Sequence, residues 1–146
     1  MTAIVAEIDI NCPAEVVFAY ATDPTHFHEW QKGVIDGKMT TTGEPSVGDR
    51  CVTTRRIGMA NRPSTSEVVR VEPRRAWTVR GIDGPIRATV DLIVEPIEAQ
   101  RAHLSISVDF EGHGIGKILV PLVVRREAAK EMPDNVAELK RHLEEA

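Results

Sequence analysis

Apolar and polar positions alternate along the start of the chain: Ile4, Ala6, Ile8 and Ile10 share one face, Val5, Glu7 and Asp9 the other, which predicts a half-buried strand. The period then lengthens. In CPAEVVFAYATD, Pro13 and Glu15 suit a helix start, and Val16, Val17, Tyr20 and Ala21 follow at three-to-four spacing. That helix should end before Asp23-Pro24, because a residue ahead of proline is disfavoured in the helical region. A second short helix, from Thr25 to about Lys32, should be closed by Gly33.

From Val34 to Phe110 the pattern is strands and turns: Ile35 to Thr41, Arg50 to Gly58, Ser64 to Glu72, Ala76 to Ile82, Ile86 to Glu95 and Ala102 to Phe110. Turn chemistry separates them at Gly43-Glu44-Pro45, Asn61-Arg62-Pro63, Glu72-Pro73 and Asp83-Gly84-Pro85. Such short connections imply an antiparallel meander. Gly112 to Gly116 then releases the chain into a long helix whose apolar stripe reads Ile115, Leu119, Leu122, Ala129, Met132, Val136, Leu139 and Leu143. Pro133 should kink or interrupt it.

A sheet with its helices on one side must curl to bury its apolar face, and one long helix can lie across the concavity. The fold class is α+β. In this order of elements the opening IDINCPAEVVFAYATDPTHFHEWQKGV, the VGDR leading into a strand, VEPRRAWTV between two strands and the terminal amphipathic helix resemble the SRPBCC superfamily. This is the START and Bet v 1-like helix-grip group, and within it the polyketide cyclase/dehydrase-like branch is the most similar. The resemblance spans essentially the whole chain. It implies a curved antiparallel sheet of about seven strands, two short helices after strand 1, and a long C-terminal helix across the concave face. It also implies a central cavity, with an aromatic at the position of Trp30 near its mouth or wall.

Composition narrows the function classes. A chain of 146 residues with 42% hydrophobic content suits one domain over 1–146. The net charge of −4 comes from interspersed acids and bases, leaving no basic field for a nucleic-acid backbone. The apolar run Ile118 to Val124 contains Pro121 and is too short for a membrane span. MTAIVAEIDI carries acids where a signal peptide carries Lys or Arg, so a soluble, cytoplasmic protein is expected, as a monomer or weak homodimer. Cys12 and Cys51 read as free buried thiols.

The most chemical-looking stretch is THFHEW. On a helix, His26 and His28 lie roughly 200° apart and cannot share one ion, so they read as rim residues, and neither metal nor cofactor is expected. Phe27 and Trp30 share a face and should point inward. Strand parity turns Arg55 inward with Cys51, Thr53 and Ile57, and Glu67 inward with Val69 and Val71; if both point in, they should pair or contact a polar ligand group. Arg56 is the alternative inward arginine. Trp77, Val79, Ala88, Val90, Leu92, Leu104, Ile106 and Val108 follow the same alternation, and Met132 and Val136 face them from the long helix. His113 reads as part of a turn, and the Gly112–Gly116 glycines lack the Lys-Ser/Thr of a phosphate loop. His103, Ser105, Ser107 and Asp109 share the face opposite Leu104 and Ile106, so no hydrolase triad is expected there.

Three functions remain open. One is binding or carriage of a small hydrophobic ligand (lipid, isoprenoid or polyketide-like) in a cavity between sheet and C-terminal helix. Candidate contacts are Phe27, Trp30, Arg55, Glu67, Trp77, Val79, Val90, Ile106, Val108, Met132 and Val136. The second, which the resemblance permits, is an aromatase/cyclase or dehydratase type of enzyme, which needs an acid or base in the pocket; Glu67, Arg55 and Tyr20 are the candidates. The third, also implied by the superfamily resemblance, is a protein-interaction module such as a toxin-antitoxin component.

Overall fold

The computed structural model describes residues 3–57 and 59–146. Strand β1 (Ile4–Ile10) leads to helix α1 (Ala14–Ala21), a 3-10 turn (Pro24–His26) and helix α2 (Phe27–Trp30). Six strands follow: β2 (Val34–Met39), β3 (Arg50–Ile57), β4 (Ala60–Glu72), β5 (Ala76–Gly81), β6 (Ile86–Glu98) and β7 (Arg101–Gly112). The chain ends in α3 (Gly116–Leu119), a π-helical turn (Val120–Val124) and α4 (Arg125–Glu145). The sheet order is β1-β7-β6-β5-β4-β3-β2, antiparallel throughout. Every step from β2 to β7 is therefore a neighbour-to-neighbour turn, and β1 returns to the far side of β7. This is the curled, helix-grip-like sheet that the alternation and turn signals predict.

Register fixes one concave face. Ile4, Ala6, Ile8 and Ile10 oppose Val108, Ile106, Leu104 and Ala102, which in turn oppose Val90, Leu92, Val94 and Pro96. Val90 and Leu92 then oppose Val79 and Trp77 on β5. Helix α4 packs chiefly on the edge strand β1 and on α2, so it also shields an edge whose backbone would otherwise be open to pairing.

Several expectations fail. The expected Asn61-Arg62-Pro63 turn lies inside β4, with Thr54, Arg55 and Arg56 paired to Pro63, Arg62 and Asn61. Proline is tolerated there because β5 first pairs with β4 at Ser66, so the missing amide lies outside that ladder. Gly58, the expected end of β3, and the side chain of Ile57 lie outside the described residues. In β4, a bulge between Val68 and Arg70 reverses the side-chain alternation: Val68 is fully buried, Val69 is exposed, and Val71 is inward again opposite Trp77.

The helix departs as well. It runs unbroken through Pro133, and its irregular turn falls earlier, around Pro121, where the amide of Arg125 bonds the carbonyl of Val120 five residues back. Pro121 has no amide to donate and its ring crowds the carbonyl of Lys117, so the ladder widens at that point. The inward positions become Gly116, Val120, Met132, Val136 and Leu139, whereas Ile115, Leu122 and Ala129, all expected on the stripe, are exposed. In α1, Val17, Phe18 and Ala21 are buried and Val16 is outside.

Candidate functional site

The concave face changes character along the strands. At the end carrying the β6–β7 turn, Ile10, Val94, Ala102 and Leu104 are 0% exposed, and Val17 of α1 is equally buried. Toward the other end the same rows become half-buried: Ile4, Val79, Ala88, Val90, Val108 and Phe110 keep part of their surface. On β3 and β4 the inward residues there are polar, with Thr53 opposite Ser64 and Cys51 opposite Ser66. The result is a filled floor and an open, mixed apolar and polar upper half.

Arg55 stands at that upper end. It opposes Val34, which is buried, and Arg62 across the β3–β4 ladder, so the two guanidinium groups leave the same face. Among the described residues its one hydrogen bond is donated by Nη2 to Oε1 of Gln31, at 3.0 Å, from the end of α2. Its side chain is solvent-accessible, yet protein surrounds it on most sides; this crowding pushes its pKa down, and the Glu131 carboxylate on α4 opposes the shift.

Phe27 and Trp30 are buried, edge to face with ring centroids 5.8 Å apart, and Trp30 Nε1 has no hydrogen-bond partner among the described residues. A buried indole N–H without an acceptor forfeits a bond it would otherwise make. Met132 and Val136 are buried beneath α4, and Trp77 and Ile106 lie in the core with Val79, Val90 and Val108 packed against it.

Glu67 does not join this group. It opposes Arg50 on the outer face, alternating with the inward Ser66 and Val68, because the bulge sets even parity on its side of β4. The expected Arg55–Glu67 pair is not formed, and Arg56, next to inward Arg55, leaves the opposite face. Tyr20 is occupied elsewhere. Its Oη donates to Glu29 Oε1 at 2.7 Å, His26 Nδ1 lies 3.0 Å from Glu29 Oε2, and the Tyr20 and His26 rings stack at 5.1 Å. Burial and the Glu29 carboxylate push the phenol far above its ordinary pKa, so it holds its proton. His28 is exposed. THFHEW is thus an apolar anchor with a polar clasp on its outside.

Two other regions carry charge. On the outer face, His103 places Nδ1 2.6 Å from Asp9 and Nε2 3.2 Å from Glu7, which raises its pKa and lowers that of Asp9. Ser105 and Ser107 neighbour it on the strand without joining it. His113 lies 3.2 Å from Glu111 without hydrogen-bond alignment. Cys12 and Cys51 are free thiols, and no three His, Cys, Asp or Glu residues among those described come together to hold a metal ion. Two clefts lie away from the concavity. One of about 320 Å³ is lined by Thr89, Asp91, Ser107 and Asp109 on the outer face, and one of about 480 Å³ by Pro13, Arg74, Arg75 and Glu98 at the floor end.

The family profile described as polyketide cyclase/dehydrase and lipid transport matches residues 1–144. The chain belongs to this family. Among solved structures, a START superfamily protein from Mycobacterium smegmatis superimposes with a TM-score of 0.77 at 12% identity, covering 99% of both chains. The Zhui aromatase/cyclase from Streptomyces sp. R1128 gives a TM-score of 0.70 at 14% identity, covering 97% of this chain and 94% of that one. The di-domain ARO/CYC BexL gives 0.75 at 16% identity, with 99% of this chain spanning 47% of it. No curated protein matches the chain by sequence. Within this polyketide cyclase/dehydrase and lipid transport family, identities this low establish the shared fold and leave the reaction open. Among the described residues no helix is long and apolar enough to cross a membrane.

Sequence reasoning found Phe27 and Trp30 through their three-residue spacing, and Arg55 through strand parity. It missed Gln31 and Glu131. The first follows directly on Trp30 and the second precedes Met132 on the helix stripe, so both stood beside residues already singled out.

Proposed function

We propose that this chain binds a small amphiphilic ligand in the open upper half of the concave face. An apolar body lies against Val79, Val90 and Val108, over Trp77 and Ile106, and an oxygen-bearing head accepts hydrogen bonds from Arg55. Phe27, Trp30, Met132 and Val136 form the helical wall. The observation that carries this reading is the Arg55–Arg62 juxtaposition: like charges opposite each other on one face, with Gln31 as the only hydrogen-bond partner of the Arg55 guanidinium among the described residues. Opposed like charges are unfavourable across a ladder unless something negative joins them. A carboxylate, enolate or phenolate oxygen supplies that charge, and bidentate geometry suits guanidinium.

Cyclase-type chemistry is the second reading, and one grouping favours it. Glu131, on α4, is near enough for its carboxylate to act on the Arg55 guanidinium, so an acid and a cation border the same space. With Glu67 outside and Tyr20 held by Glu29, Glu131 is the carboxylate placed to move a proton there.

Binding of 1-anilinonaphthalene-8-sulfonate, an aromatic anion, tests the site. Arg55→Met should weaken it about tenfold, the loss of one charge-assisted contact, and Val90→Trp should abolish it by filling the groove. Unchanged affinity in both folded variants would remove this site from consideration. Native mass spectrometry of the protein from its own host then identifies the physiological ligand, and Glu131→Gln separates carriage, where affinity shifts, from catalysis, where turnover is lost.

A further inference from the structure

The end of the sheet that carries the open upper half also carries an unpartnered apolar surface. Met59, between β3 and β4, is 96% exposed, and Ile115, Ile118, Leu122 and Val123 on the α3 segment are all half-exposed or more, Leu122 at 64%. By strand direction these segments share one end of the sheet: β3 ends there, β4 begins there, and β7 runs into α3. Other exposed apolar side chains, such as Val16 and Val47, stand singly, whereas Ile115, Ile118, Leu122 and Val123 fall within nine residues, and a group of this kind marks a contact surface.

The outward direction of this cluster is built in. A Cβ on Gly116 would lie 1.8 Å from the carbonyl oxygen of Pro85, and one on Gly112 would lie 2.2 Å from that of Gly116. Backbone therefore meets backbone where α3 starts, and the rotation of the helix is locked at that point. The π-helical turn then keeps Val120 inward and Leu122 and Val123 outward. These side chains cannot roll into the groove without breaking the Gly116 contact.

Charge decides the occupant. Although the chain is net acidic, residues 112–126 contain Lys117, Arg125 and Arg126 and no acid, and residues 55–66, around Met59, contain Arg55, Arg56 and Arg62 and no acid. Arg125 is engaged by Asp109 at 3.0 Å, while Lys117 and Arg126 are exposed. Apolar side chains interleaved with basic ones, on a short segment that cannot span a bilayer, fit the interface of an anionic membrane, with hydrocarbon for the first set and headgroup phosphate for the second. We infer that the Met59 and Ile115–Val123 end of the fold is a docking surface for anionic lipid bilayers. This goes beyond ligand binding in the groove and holds whether or not the groove carries a lipid.

Co-sedimentation of the full chain with vesicles tests it. Binding is expected to phosphatidylcholine/phosphatidylglycerol vesicles, weakening as salt rises, and to be much poorer with phosphatidylcholine alone. Ile118→Asp with Leu122→Asp should abolish it, and Lys117→Glu with Arg126→Glu should reduce it by about tenfold or more. Circular dichroism checks the fold of each variant, and His103→Gln, on the outer face of the sheet, should still bind vesicles. No binding by the folded wild-type chain overturns the inference. So does a concentration-dependent dimer that Leu122→Asp dissolves without any vesicle binding, which would assign the surface to a second copy of this chain.

Discussion

The two halves of the concave face are built from the same strands and the same alternation, yet one is solid and the other open. The floor half stacks Ile10, Val94, Ala102 and Leu104 under α1, each without solvent contact. In the upper half the strands continue with Val79, Val90, Val108 and Phe110, but α4 leans on β1 and α2 rather than crossing β3 to β5. The difference is a matter of what covers each row rather than of residue type. Hydrophobicity alone therefore does not separate a core position from a groove position in this fold; the placement of the helices does.

The largest expected effect probes this contrast directly. Leu104→Ala should cost about 2–5 kcal/mol of unfolding free energy, because a closed floor cannot collapse around the void. Val90→Ala, in the open half, should cost about 1 kcal/mol, since much of its surface is already wet. Denaturant titration of both measures the gap, and equal losses would show that the upper half is as tightly filled as the floor. Next in size is Gly116→Ala, whose methyl group would collide with the Pro85 carbonyl. A loss of about 1–3 kcal/mol is expected, together with altered vesicle binding as the helix start shifts.

The smallest effect concerns the outer face, where His103 bridges Asp9 and Glu7. Its pKa is raised, so its contribution is fully present below the ordinary histidine value of about 6.5 and is lost as pH rises through the folded value. Asp9 is depressed and works in the opposite sense: its contribution is lost as pH falls through the carboxylate range. Stability from this bridge therefore peaks in mildly acidic solution. His103→Gln should flatten the decline in melting temperature from pH 6 to pH 9 while leaving groove affinity unchanged; a coupled change in affinity would mean that the outer face communicates with the inner one.

Much of this was legible in the chain. Strict alternation in β1, β6 and β7 located both the rows of the concave face and their direction, because a period of two has no freedom once one residue is placed. The same logic failed in β4, where one extra residue between Val68 and Arg70 reversed the parity and sent Glu67 outward. Parity carries no information across a bulge, and the VVRV sequence there does not announce one. The helix failed in the same way. The predicted stripe holds from Met132 onward and fails at Ile115 and Leu122, because a constant 3.6-residue period does not carry through Pro121; Ala129, past that turn, is exposed as well. For the candidate site, Trp30 followed from spacing, whereas Gln31 and Glu131 meet Arg55 only in three dimensions.

The π-helical turn sets the length of the chain between two fixed points. Ahead of it the Gly116 backbone is pressed against Pro85; behind it Met132 and Val136 are seated in the core. Removing one residue from Val120–Val124 would restore ordinary helical spacing and rotate everything before the turn by about 100°. The glycine contact and the seated helix could not then both survive. A single-codon deletion in this segment should therefore be far less tolerated than most substitutions within it, and natural length variation among close homologues should fall elsewhere, in the β2–β3 connection, for example.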